Sequence, residues 1–146
     1  MSPEQMFQIC NTLALAACVA VIAAPRWAVV TGTIHWGVIT GLLVLYAVLI
    51  AAFFFRVEGG GFFTLAAVQT LFADPHVALA GWVHYLAFDL FVGLWIAGRA
   101  DAMGLNRVVQ APILIATFMF GPFGFLLFQA VRAASVLMPR SQRALI

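Results

Sequence analysis

The sequence predicts an all-α membrane protein, a four-transmembrane-helix bundle with a short interfacial or re-entrant segment between helices 2 and 3. Of its 146 residues, 65% are hydrophobic and 8% charged. The mean hydropathy is +1.10, which excludes an ordinary soluble domain and offers nothing to nucleic acid. Four stretches approach the roughly 20 apolar residues that a bilayer core about 30 Å thick demands: 6–24, 36–55, 77–98 and 113–131. They are continuously apolar, whereas the strands of a membrane barrel alternate. One domain, 1–146, and an even number of crossings put both termini on one side.

The first span lies between Glu4 and Arg26. No Lys or Arg precedes it, and Pro25 follows the one small-residue cleavage site, so it is expected to stay attached rather than act as a signal peptide. Cys10 and Cys18 stand about 12 Å apart on this helix, too far for a disulfide. A tight interfacial connection, 24–37, carries Trp27 and Trp36 at the depth that indole rings prefer, and His35 and Trp36 are expected to open the second span.

Arg56 closes that span, and Gly59, Gly60 and Gly61 break the helix. The apolar pattern at 62–72 is too short to cross and suits a helix in the interface, ended by Asp74 and Pro75. After the third span, the polar loop 99–110 leads to Pro112, the expected start of the fourth. Pro122, flanked by Gly121 and Gly124, predicts a kink in its middle, because proline removes a donor and frees a carbonyl.

All seven basic residues are arginine. Alternation of sides puts Arg56, Arg132, Arg140 and Arg143 with the termini and Arg26, Arg99 and Arg107 opposite. The arginines of the tail favour termini in the cytoplasm, and the absence of a Ser- and Arg-rich transit peptide reads as a bacterial inner-membrane protein.

The third span carries the chemistry. Asp89 lies near its centre, where a carboxylate costs at least about 2.5–3.5 kcal/mol and is expected to face the interior, protonated or partnered. At about 100° per residue Tyr85 shares the face of Asp89, while His84 is offset by about 140°. A His84–Asp89 bond within the helix is therefore poorly arranged, although both side chains can border one wide cavity. Asn11 and Gln129 fall at the depth of His84, and Arg56, Arg132, Asp74 and His76 cap the same end. A pocket open toward the terminal side is the result. Asp74 and His76 flank Pro75, where a helix cap is the plainer role. The opposite half carries mainly His35 and Arg99. His35 and His84 start from opposite sides of the bilayer, which argues against haem or metal, and no HExxH or CxxC spacing is present. No cofactor and no metal are expected.

The run Trp82-x-His84-x4-Asp89-Leu90-Phe91, the later Asn106-Arg107 loop and Pro122-x-Gly124 resemble the small membrane-protein family named for a plant abscisic-acid-deficient mutant, the neoxanthin-synthesis family. The resemblance is specific over about residues 74–132 and is one of hydropathy before residue 60. It implies a four-helix membrane protein of xanthophyll biosynthesis and an isomerase that turns an epoxide into an allene and an alcohol without redox change. In this reading Asp89 is the acid, His84 the base and Tyr85 the group that orients Asp89. Trp82, Phe88 and Phe91 line a polyene slot, with Asn11, Gln129, Arg132, Asp74 and His76 completing the substrate-binding set. The expected partners are the membrane and a hydrophobic lipid or carotenoid. A chain of 146 residues without an extramembrane domain also suits a second role, a non-enzymatic pigment- or lipid-binding accessory subunit, in a homo-oligomer or a larger membrane complex.

Overall fold

A computed structural model describes residues 1–137. Arg140 and Arg143, counted above for orientation, lie outside the described residues, which contain helices and no strand.

Helix α1 (Pro3–Ala23) starts at a capping box in which Ser2 and Gln5 satisfy each other's backbone N–H groups, with Pro3 in the first turn. It turns Cys10, Ala14, Ala17, Cys18 and Val21 to the core, small residues that let helices approach closely where no water drives them together. The cysteines are free and buried, as apolar filler.

The second span begins earlier than the hydropathy suggested. A continuous helical stretch, Ala28–Arg56, runs as α2 (Ala28–Gly32), a π-helical segment (Thr33–Ile39), α3 (Thr40–Phe53) and a final 3-10 turn (Phe54–Arg56). His35 and Trp36 therefore sit inside the π segment rather than at a helix start. Trp27, the residue before the first turn, alone remains in the connection, and its side chain is exposed.

The short amphipathic segment forms α4 (Leu65–Ala73), capped by Thr64 through the backbone N–H of Ala67. It lies on α5 (Pro75–Ala102), and Phe72 occupies the space that a side chain at Gly81 would need. Helix α5 is the hub, packed by α1, α3, α4 and α6. Among the described residues, three stretches are long and apolar enough to cross a membrane: Pro3–Ala23, Ala28–Arg56 and Pro75–Ala102.

The expected span 113–131 is where the structure differs. Its first helix, α6 (Arg107–Phe120), starts at the Asn106 cap and holds Pro112 inside it rather than at its start. A second helix, α7 (Pro122–Leu137), follows after Gly121 alone. Gly121 has φ +49° and ψ −101°, a turn that no kinked continuous helix contains. Gly124 packs onto the backbone of Thr117, and Phe125 and Phe128 both lie 5.9 Å from Trp95. Trp95 is six residues, about 9 Å, further along α5 than Asp89, which touches Gly121. After Gly121 the chain therefore heads back toward the end from which α6 came. The proline and glycines that predicted a kink make a helical hairpin with its tip at mid-depth. The described part of α7 thus ends on the face opposite Pro3, not on the same side.

Candidate functional site

Asp89 is buried, 8% exposed, as the cost of a lipid-facing carboxylate requires. Its Oδ1 would lie 2.9 Å from a Cβ at Gly121, and its Oδ2 has no hydrogen-bond partner among the described residues. Beside it Cys18, Val21, Gly93, Leu114 and Phe118 enclose about 10 Å³, room for roughly one water molecule.

Tyr85, one turn earlier, stands close to Asp89 and donates from its hydroxyl to the Met119 carbonyl at 2.9 Å. That oxygen lies in the last turn of α6, where carbonyls lose their helical partners. This acceptor is freed by the end of α6 and not by the missing N–H of Pro122, which would have faced the Phe118 carbonyl, and Tyr85 satisfies it. Because α6 stops at mid-depth, no helix fills the seam between α1 and α5 beyond its end. A groove of about 370 Å³ results, lined by Asn11, Leu15, Trp82, Tyr85, Phe118 and Met119. Trp82 donates to Asn11 Oδ1 at 2.7 Å across it.

The other predicted residues lie elsewhere. His84 is exposed on a different flank of α5, stacked on Phe88 at 4.5 Å and 5.3 Å from Tyr46 of α3. Phe91 follows on that flank, 6.3 Å from His35. A helical wheel explains the division: 82, 85 and 89 cluster within about 60°, whereas 84, 88 and 91 form a stripe roughly 120° away. Trp82 and the two phenylalanines therefore do not line one slot. Gln129 and Arg132, expected beside Asn11 and at the terminal end, follow α7 toward the other face, and both are exposed.

Asp74 is a helix cap, its Oδ1 accepting from the N–H groups of His76 (2.9 Å) and Val77 (3.1 Å). His76 stacks on Phe53 at 3.9 Å, and the Arg56 guanidinium lies 5.9 Å from the centre of the same phenylalanine ring. These groups close the end of the α3–α5 pair, apart from the groove.

The most connected polar cluster is one that the sequence reading missed. At the opposite end, Arg26 donates from Nη2 to Gln110 Oε1 at 3.0 Å, and its Nε lies 3.6 Å from Asp101 Oδ2. Gln110, 1% exposed, donates to both Asp101 Oδ1 and the Leu105 carbonyl at 2.8 Å. Arg107 donates to the Ala24 carbonyl at 2.7 Å. Burial pushes the Arg26 guanidinium below its ordinary value; the Asp101 carboxylate opposes that shift and Arg107 adds to it. The signal was in the sequence, since alternation of sides already put Arg26, Asp101 and Gln110 at one end of neighbouring spans.

A family model described as ABA DEFICIENT 4-like matches residues 5–128, which takes in α1, the groove, Asp89 and the hairpin tip. The chain belongs to the ABA DEFICIENT 4-like family. Comparison with curated proteins and with solved structures gives no significant match. Family membership and the apolar helices make it a membrane protein of the neoxanthin-synthesis family, linked to xanthophyll synthesis.

Proposed function

We propose that this protein isomerises a carotenoid or a related isoprenoid lipid at Asp89. The bundle is read as three crossings completed by the α6–α7 pair, which takes the place of a fourth spanning helix. The observation that carries the reading is the unpartnered Oδ2 of a buried carboxyl at mid-depth, next to a groove that opens from the α1–α5 seam. A carboxyl kept there at a cost of several kcal/mol suits a functional group better than a packing one.

In this proposal the apolar chain of the substrate lies in the groove, with Trp82 and Phe118 against it and Asn11 beside its polar end. Neutral Asp89 gives its proton to the epoxide oxygen as the C–O bond opens. The electron pair of the neighbouring C–H bond forms the new double bond, and the released proton goes to the other oxygen of Asp89. One carboxyl serves as both acid and base, no redox partner is consumed, and Asp89 ends neutral. Tyr85 is a positioning residue that ties the hairpin tip to α5 beside the carboxyl. His84 was the base in the resemblance-based expectation; its place on the α3 flank supports a lipid-facing role instead.

The test is conversion in a host that makes epoxy-carotenoids, followed by pigment extraction. Wild type is expected to give an allenic product and Asp89→Asn none. Unchanged pigments with wild type would overturn the proposal. A second reading, a pigment- or lipid-binding accessory subunit, draws support from the exposed stripe of His84, Phe88 and Phe91. Pigment that co-purifies unconverted with both wild type and Asp89→Asn would favour it.

A further inference from the structure

The hairpin changes which charges share a membrane face. Arg107 begins α6, and Arg99 in the last turn of α5 lies 5.6 Å over Trp95. Arg26 is held beside Asp101 and Gln110. Because α7 runs back past Trp95, Arg132, ten residues beyond Pro122, reaches this same end, about 15 Å from the hairpin tip. Among the described residues one end thus carries Arg26, Arg99, Arg107 and Arg132 against Asp101. The other end carries Arg56 against Glu4, Glu58 and Asp74. A fourth helix crossing the bilayer would have moved Arg132 to the acidic end and reduced the arginine split from four against one to three against two.

We propose that the arginine-bearing end docks on the anionic lipid headgroups of the cytoplasmic leaflet, with the N-terminus on the far side of the membrane. Arg26 is taken up by the buried cluster, and Arg107 uses one nitrogen on the Ala24 carbonyl. Arg99, Arg107 and Arg132 are exposed and supply the headgroup contacts. Arginine suits this work because its planar fork matches phosphate oxygens and stays charged. Arginines flanking short loops are retained on the cytoplasmic side, where the leaflet is negative. The proposal rests on the hairpin and the charges alone, so it stands or falls apart from the chemistry at Asp89.

Two measurements on the full chain test it. In the first, single cysteines at Ser2→Cys, Glu58→Cys, Met103→Cys and Ser135→Cys are labelled with an impermeant maleimide from each side of the membrane; the native Cys10 and Cys18 are buried. Met103→Cys and Ser135→Cys are expected to react only from the cytoplasm, and Ser2→Cys and Glu58→Cys only from the opposite side. Ser135→Cys reacting from the same side as Ser2→Cys overturns the proposal. In the second, thermal unfolding is compared in liposomes of phosphatidylcholine with and without phosphatidylglycerol. Wild type is expected to unfold several degrees higher with the anionic lipid, and the triple variant Arg99→Gln/Arg107→Gln/Arg132→Gln to lose that gain. No gain in wild type, or an equal gain in the variant, overturns the proposal. Should the variant not fold, the wild-type gain must still fall as salt screens the charges, and a salt-independent gain has the same overturning force.

Discussion

The last turn of α5 and its middle place polar groups under protein cover in different ways. Near Asp101, Arg26 and Gln110 the charges are distributed over α5, α6 and the loop after α1, and each member of the cluster contacts another. Near Asp89 one carboxyl oxygen has no partner among the described residues, the fourth helix stops short, and a groove replaces it. The Arg26 cluster leaves Nε and Nη1 without a hydrogen-bond partner among the described residues, but the Asp101 carboxylate stands 3.6 Å from Nε, whereas Asp89 Oδ2 has neither a bond nor an opposite charge beside it. A charge-paired network holds helices in register, and a group with no partner is costly and is tolerated where it does something. The last turn is read as a clamp and the middle as a site.

The contrast depends first on the hairpin that stops α6 beside Asp89. Gly124→Val would drive a branched side chain into the backbone of Thr117. Overpacking of this kind is expected to cost about 3 kcal/mol or more, visible as loss of a monodisperse folded peak in detergent. A well-behaved Gly124→Val protein would mean that α7 does not pack there.

The clamp comes next. Asp101→Ala leaves the Arg26 guanidinium under cover without its counter-charge and takes an acceptor from Gln110. The cost is expected at about 2 kcal/mol, below that of a fully buried pair because Asp101 is partly exposed. An unfolding midpoint equal to wild type would show that the cluster does not hold the helices. Smaller still, Trp82→Phe removes the hydrogen bond to Asn11 and is expected to cost about 1 kcal/mol, in the range of interhelical bonds in membranes.

How much of this was legible follows from the kind of signal each feature leaves. Hydropathy located α1 and α5 to within four residues at each end, because length and polarity are counted along the chain, but it missed the first eight residues of the second span. The Asp74 cap and the short α4 were equally local. The reversal at Gly121 was not, since a Pro–Gly pair marks a break and leaves its angle to the packing of Gly124 on Thr117. Every depth assigned beyond that point inverted with it, which is why Gln129 and Arg132 were placed at the wrong end. Helical spacing did separate His84 from Asp89, and the structure carries that separation further by putting Tyr46, Phe88 and His84 on one flank. The cluster of Arg26, Gln110 and Asp101 was overlooked because its members sit at helix ends, where polar residues are common and draw little notice singly.

That separation also supplies the decisive measurement. Purified wild type, Asp89→Asn and His84→Ala are reconstituted in liposomes with an epoxy-carotenoid, and the rate of isomerisation is followed by absorbance and chromatography. With Asp89 as the sole acid and base, Asp89→Asn is expected to lose about a hundredfold or more, while its unfolding midpoint stays near that of wild type. His84→Ala, altered on the flank away from the groove, is expected to remain within about threefold of wild type. A fully active Asp89→Asn protein, or a loss in His84→Ala as large as that in Asp89→Asn, would contradict the assignment of the chemistry to the Asp89 face.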